Sequence, residues 1–95
     1  MIRLSVMYPV TEGATFDHDY YRDKHVPLVV KTWGVSRVEI DKGINGPYLA
    51  AVHLFFDSME AMAAAMGVEG TGDIIADVAN YTTITPVQQI AEIVD

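Results

Sequence analysis

No cysteine occurs among the 95 residues of this chain. That excludes a disulfide framework, a thiolate nucleophile and a zinc–thiolate site. Bases are scarce: 6 Lys and Arg stand against 13 Asp and Glu, a formal net charge of −7. Nucleic acid and anionic membrane surfaces both require a cationic footprint, so neither is expected as a partner. No apolar run approaches the ~20 residues that span a bilayer. No leader is evident, because Met1-Ile2-Arg3 runs straight into an alternating segment. A cytoplasmic protein is the expectation. A phosphate-binding loop is missing too. Gly67-Val68-Glu69-Gly70-Thr71-Gly72 carries no lysine and follows a helix rather than a strand.

What the chain does have is apolar residues. They make up 51% of it, and the mean hydropathy is +0.20. One domain over residues 1–95 is expected, with one core. Apolar surface beyond what so small a monomer hides suggests a subunit interface.

Ile2, Leu4, Val6 and Tyr8 alternate with Arg3, Ser5 and Met7, which reads as a strand ended by Pro9. Asp17 suits a helix N-cap. A helix from Asp17 to Trp33, advancing ~100° per residue, collects Leu28, Tyr21, Thr32, His25, His18 and Val29 on one stripe. Asp19, Asp23, Lys24 and Lys31 fall opposite, with Tyr20 and Val30 as apolar exceptions. Pro27 kinks or restarts this helix, and Gly34 stops it. Val35–Ile44 and Tyr48–Phe56 read as strands joined at Asn45-Gly46. The second is apolar on both sides except for His53, so it belongs in the middle of a sheet. Asp57 or Ser58 caps a helix over Met59–Met66, whose methionines Met59, Met62 and Met66 fall at core spacing. Asp73–Asn80 is a further helical piece, and Thr82–Val94 a last strand that meets Pro86 at an edge or bulge. The order is β-α-β-β-α-β, an α+β ferredoxin-like arrangement with a four-stranded antiparallel sheet and its helices on one face. A second copy is the simplest cover for the other face, and would form a dimeric α/β barrel.

Three constellations could carry chemistry. Tyr21 and His25 lie one helical turn apart on the inward face. There they are either held by hydrogen bonds or used as a proton-transfer imidazole and an oxyanion-stabilising phenol. His53 is a core histidine or, if it points to the helical face, a pocket residue. Asp77, Asn80 and Tyr81 close the second helical region; Asp77 either orients an imidazole or joins Asn80 in helix-end hydrogen bonds. A metal site is not expected. His18 and His25 stand ~10.5 Å apart along a helix, too far to share an ion.

Phe16-Asp17, Tyr20-Tyr21, His25 and Pro27-Leu28 resemble the F-D-x-x-Y-Y-x-x-x-H-x-P-L signature of the EthD family. His53-Leu54-Phe55-Phe56-Asp57-Ser58 and Asp77-Val78-Ala79-Asn80-Tyr81-Thr82 resemble its third strand and its D-v-p-N-F-T segment. Ala79 replaces the expected proline, and Tyr81 the usual phenylalanine. The resemblance implies a dimeric α/β barrel with relatives among cofactor-free monooxygenases, muconolactone isomerases and polyketide-type dehydratases or decarboxylases. It implies His25 as the proton-transfer group and Tyr21 as its catalytic partner in the pocket. It also implies Asp77, Asn80 and Tyr81 as the opposite, substrate-binding wall, and His53, on a strand that lines such pockets, as a further substrate contact. The expected protein is therefore a homodimeric enzyme without cofactor or metal. It is oxidoreductase-like or an isomerase or dehydratase, and acts on a small hydrophobic, aromatic, lactone or polyketide-like metabolite. The alternative is an accessory protein that binds such a metabolite without turning it over. Haem binding, known in distant barrel relatives, finds no recognisable histidine pattern here.

Overall fold

The computed structural model describes residues 1–94. Among them the elements run β1 (Ile2–Pro9), α1 (His18–Tyr20), a π-helical turn (Tyr21–His25), α2 (Val26–Trp33), β2 (Arg37–Lys42), β3 (Tyr48–Phe56), α3 (Met59–Met66), α4 (Thr71–Asp77), a 3-10 turn (Val78–Asn80) and β4 (Val87–Glu92). The strands form one antiparallel sheet in the order β2-β3-β1-β4. With the helices packed on one side, this is the ferredoxin-like α+β fold.

Strand parity decides what meets the helices. Leu4, Val6 and Tyr8 of β1 stand opposite Leu54, Val52 and Ala50 of β3, and all six belong to or pack against the core. Arg3, Ser5 and Met7 pair with Phe55, His53 and Ala51 on the other face, which no helix covers. The molecule is accordingly a two-layer slab, 38 × 33 × 19 Å.

Local signals explain the helix ends. Asp17 accepts from the Tyr20 backbone N–H at 3.0 Å, and Ser58 caps α3 by accepting from Ala61 at 3.1 Å. Gly34 ends α2 in the left-handed region (φ 66°). The regular helix restarts at Val26, one residue before Pro27. The proline sits in the first turn of α2, where its missing N–H costs nothing. The irregularity lies just upstream, in a π turn that Val26 N–H closes onto the Tyr21 carbonyl. The last strand is shorter than expected. Thr82 makes only an isolated bridge with Phe16, and regular pairing begins after Pro86. No helix among the described residues is long and apolar enough to cross a membrane.

Candidate functional site

Two chain segments distant in sequence are tied together at one end of the sheet. Phe16 bridges Thr82, Asp17 N–H donates to the Tyr81 carbonyl at 2.9 Å, and Thr82 Oγ1 donates to the Thr15 carbonyl at 2.7 Å. These bonds set the start of the first helical segment against the end of α4. The π turn then aims Tyr21 and His25 inward together. Their rings stack at 5.6 Å with only 15° between planes, and both are at least 95% buried. Single π turns recur at functional sites because they re-aim side chains.

His25 Nδ1 meets Asp77 Oδ2 at 2.9 Å. An ionised carboxylate only accepts, so Nδ1 carries the proton and Nε2 of the neutral ring carries the lone pair. The other oxygen, Asp77 Oδ1, accepts from Tyr20 Oη at 2.7 Å and from Asn80 Nδ2 at 2.8 Å. Burial pulls the Asp77 carboxyl up, but the hydrogen bonds from Asn80, Tyr20 and His25 together outweigh it and hold it below the usual range. Burial lowers the His25 pKa below the ordinary histidine value, against the opposing pull of Asp77. At neutral pH the imidazole is therefore uncharged, oriented and basic at Nε2.

His25 and Tyr21 also line an open-mouthed cavity of about 400 Å³ between the sheet, α2 and α4. Val6, Val52 and Leu54 form its floor, while Val29, Trp33 and Ile74 contribute to its helical wall. Tyr8, another wall residue, shares its hydroxyl with that of Tyr81, leaving the buried Tyr21 hydroxyl without a partner among the described residues. Burial raises the Tyr21 pKa far above that of a free phenol. It stays a neutral donor.

The remaining candidates divide. Asp77 and Asn80 stand behind His25 rather than in the cavity wall, and Tyr81 supports the ring from the side at 4.6 Å between centroids. His53 does not reach the cavity at all. Its strand parity sends it to the uncovered face, where Ser5 Oγ donates to Nδ1 at 2.7 Å and Nε2 donates to Asp41 Oδ2 at 2.9 Å. Tyr20, an apolar exception on the outer side of a regular helix, instead donates its hydroxyl proton to Asp77 Oδ1. The Tyr20-Tyr21 pair in the motif was the available signal. Among the described residues, no cluster of three His, Asp or Glu could hold a metal ion.

Comparison with solved structures places the chain beside an EthD-like protein from Ralstonia eutropha JMP134. The two are 42% identical over 99% of this chain and 92% of that one, with a TM-score of 0.91. An ethyl tert-butyl ether D (EthD) family protein from Bacillus halodurans C-125 matches at 18% identity, 99% of each chain and a TM-score of 0.74. SnoaB, a cofactor-independent oxygenase from Streptomyces nogalater, shares the fold at 8% identity, 99% of this chain, 93% of that chain and a TM-score of 0.69. No family model matches the chain, and no similar curated protein was found.

Proposed function

The chain belongs to the EthD family, and from that premise we propose that it is a small enzyme using His25 as a general base without a cofactor. One observation carries the reading: the carboxylate-oriented imidazole of His25 stands in the wall of a largely apolar cavity. Nε2 takes a proton from an activated C–H or O–H of a small aromatic, lactone or polyketide-like metabolite. Asp77 stabilises the imidazolium that forms. The unpartnered Tyr21 hydroxyl donates to the oxygen on which negative charge develops. The resulting anion has three outlets. Returning the proton to another carbon gives isomerisation. Expelling a neighbouring hydroxide, which leaves as water with that proton, gives dehydration. Passing electrons to dioxygen converts a CH₂ to a carbonyl and releases the second oxygen atom as water. The fold shared with a cofactor-independent oxygenase supports including the last.

The assembly we propose is a homodimer packed through the uncovered sheet face. The exposed Val87 and the partly exposed Met7, its neighbour across the strands, supply apolar surface there over the buried Ala51 and Phe55, and Arg3 Nε is buried without a partner among the described residues.

Deuterium exchange at the acidic CH₂ of 2-tetralone in D₂O tests the base directly, because it needs only proton removal and return. The chain should accelerate exchange, and His25→Ala should slow it by roughly 10²-fold or more. If 2-tetralone binds while exchange proceeds at the buffer rate, the pocket is a binding site and the accessory reading replaces the catalytic one.

A further inference from the structure

The cavity holds its polar groups at separate places, and none of them is a cation. Among the described residues that line it there is no Lys or Arg. The nearest ionised group in the site is the Asp77 carboxylate, directly behind His25. Elsewhere in the wall, Trp33 Nε1 donates to Thr71 Oγ1 at 3.0 Å, and Thr71 in turn donates to the Met66 and Val68 carbonyls. That region is saturated and offers a ligand only apolar surface. Eight residues, about 12 Å of helix rise, separate His25 from Trp33. Unsatisfied polarity is concentrated around His25 Nε2 and the Tyr21 hydroxyl. The cavity opens past Ile75, Thr85 and Gln88, which are exposed.

From this arrangement we infer that the ligand is uncharged on entry, carries one oxygen head group inserted toward His25 and Tyr21, and has a flat apolar body of about two fused rings reaching toward Trp33. A carboxylate buried here would lose its hydration with no countercharge to replace it, and would feel the Asp77 charge as well. An anion born in the pocket is different. Proton transfer to His25 creates an imidazolium at the same moment, so the pair stays neutral overall. The cavity thus admits the acid and tolerates its conjugate base only once His25 has taken the proton. The inference rests on this cavity being the ligand site, which the catalytic and the accessory readings share. It narrows the substrate class to neutral phenols, ketones and lactones and excludes aromatic and lactone carboxylic acids.

Trp33 is the sole tryptophan, so its indole N–H gives a single NMR signal inside the cavity wall. The test titrates the intact protein with 2-naphthol and, separately, with 2-naphthoate, which share a ring system and differ in charge at pH 7. Saturable displacement of the Trp33 signal by 2-naphthol, with at least tenfold weaker binding of 2-naphthoate, is the expected result. Gln88→Lys, which adds a cation at the exposed rim, should narrow or reverse that preference. Equal or tighter binding of 2-naphthoate by the wild type overturns the inference, and so does failure of both probes to move the signal. Loss of the catalytic reading does not touch it. A protein that binds 2-naphthol selectively yet never exchanges 2-tetralone keeps this inference and loses the base.

Discussion

Asp77 is the residue on which the site depends, because one carboxylate serves three donors. Its Oδ2 orients His25, and its Oδ1 is anchored by Tyr20 and Asn80. Asp77 raises the affinity of His25 for a proton while burial lowers it. Asp77→Asn removes the raising influence and leaves the burial. The His25 titration, followed by imidazole NMR, should therefore move further below the ordinary value of about 6.5. The acid limb of any pH–rate profile should move in the same direction, with kcat reduced by up to about 10⁴-fold through loss of the correct tautomer. An unmoved His25 titration would show that the 2.9 Å contact does not govern the ring. Stability follows the same sign. The unfolded chain takes up the His25 proton at higher pH than the folded one, so folding free energy declines as pH falls below about 6.5. Part of this residue-level picture was legible. The spacing of Tyr21 and His25 and the choice between an Asp77 that orients an imidazole and one that joins Asn80 in helix-end hydrogen bonding are both legible in the sequence, and Asp77 contacts both His25 and Asn80 without capping the backbone. Tyr20 escaped because a regular 100° helix points it outward, and only the π turn changes the phase.

Elements with a single strong signal were read to the residue. Met59–Met66 has a serine cap before it and a glycine after it, and Tyr48–Phe56 is an apolar run interrupted only by His53. Where two signals competed, the boundary moved. Pro27 announced an irregularity without saying on which side it would fall, and Pro86 cut the last strand back to Val87. His53 illustrates a different limit. Both faces of β3 are apolar enough to meet helices, so its own pattern cannot choose between them. The choice is made by β1, whose Ser5 pairs with His53, and pairing register is long-range information. The β2–β3 turn carries its own test. A Cβ on Gly43 would lie 2.2 Å from the Tyr48 carbonyl oxygen and 2.9 Å from the Leu49 Cα, both backbone. Rigid backbone cannot yield as a side chain would. Gly43→Ala should cost about 2 kcal/mol in urea unfolding, while Gly46→Ala, whose obstacle is only its positive φ of 126°, should cost less. Equal costs at the two positions would mean that the hairpin relaxes around Gly43.

Two layers leave one sheet face to solvent, and that sets the character of the whole molecule. An accessible area of 6015 Å² exceeds the roughly 5,400 Å² expected for a monomer of this mass, in keeping with a subunit that has surface left to bury. The uncovered face is not uniformly apolar. Met7, Ala51 and Phe55 share it with the Ser5–His53–Asp41 chain and with Arg37, whose guanidinium lies 4.5 Å over the Phe55 ring. Polar groups already satisfied within one copy can be covered by another at little desolvation cost, whereas Arg3 Nε still lacks an acceptor. The proposed dimer gives that donor a place to find one and lets His53 contribute to assembly rather than to the cavity. Native mass spectrometry should find two copies for the wild type. Met7→Asp should shift the population to single copies, because it sets a carboxylate among apolar groups at the middle strand of the face. His25 and the cavity lie on the opposite side of the sheet, so the Met7→Asp monomer should retain the Trp33 response to 2-naphthol. A wild type that remains monomeric at micromolar concentration would remove the dimer from the proposal and leave the cavity as a site complete in one chain.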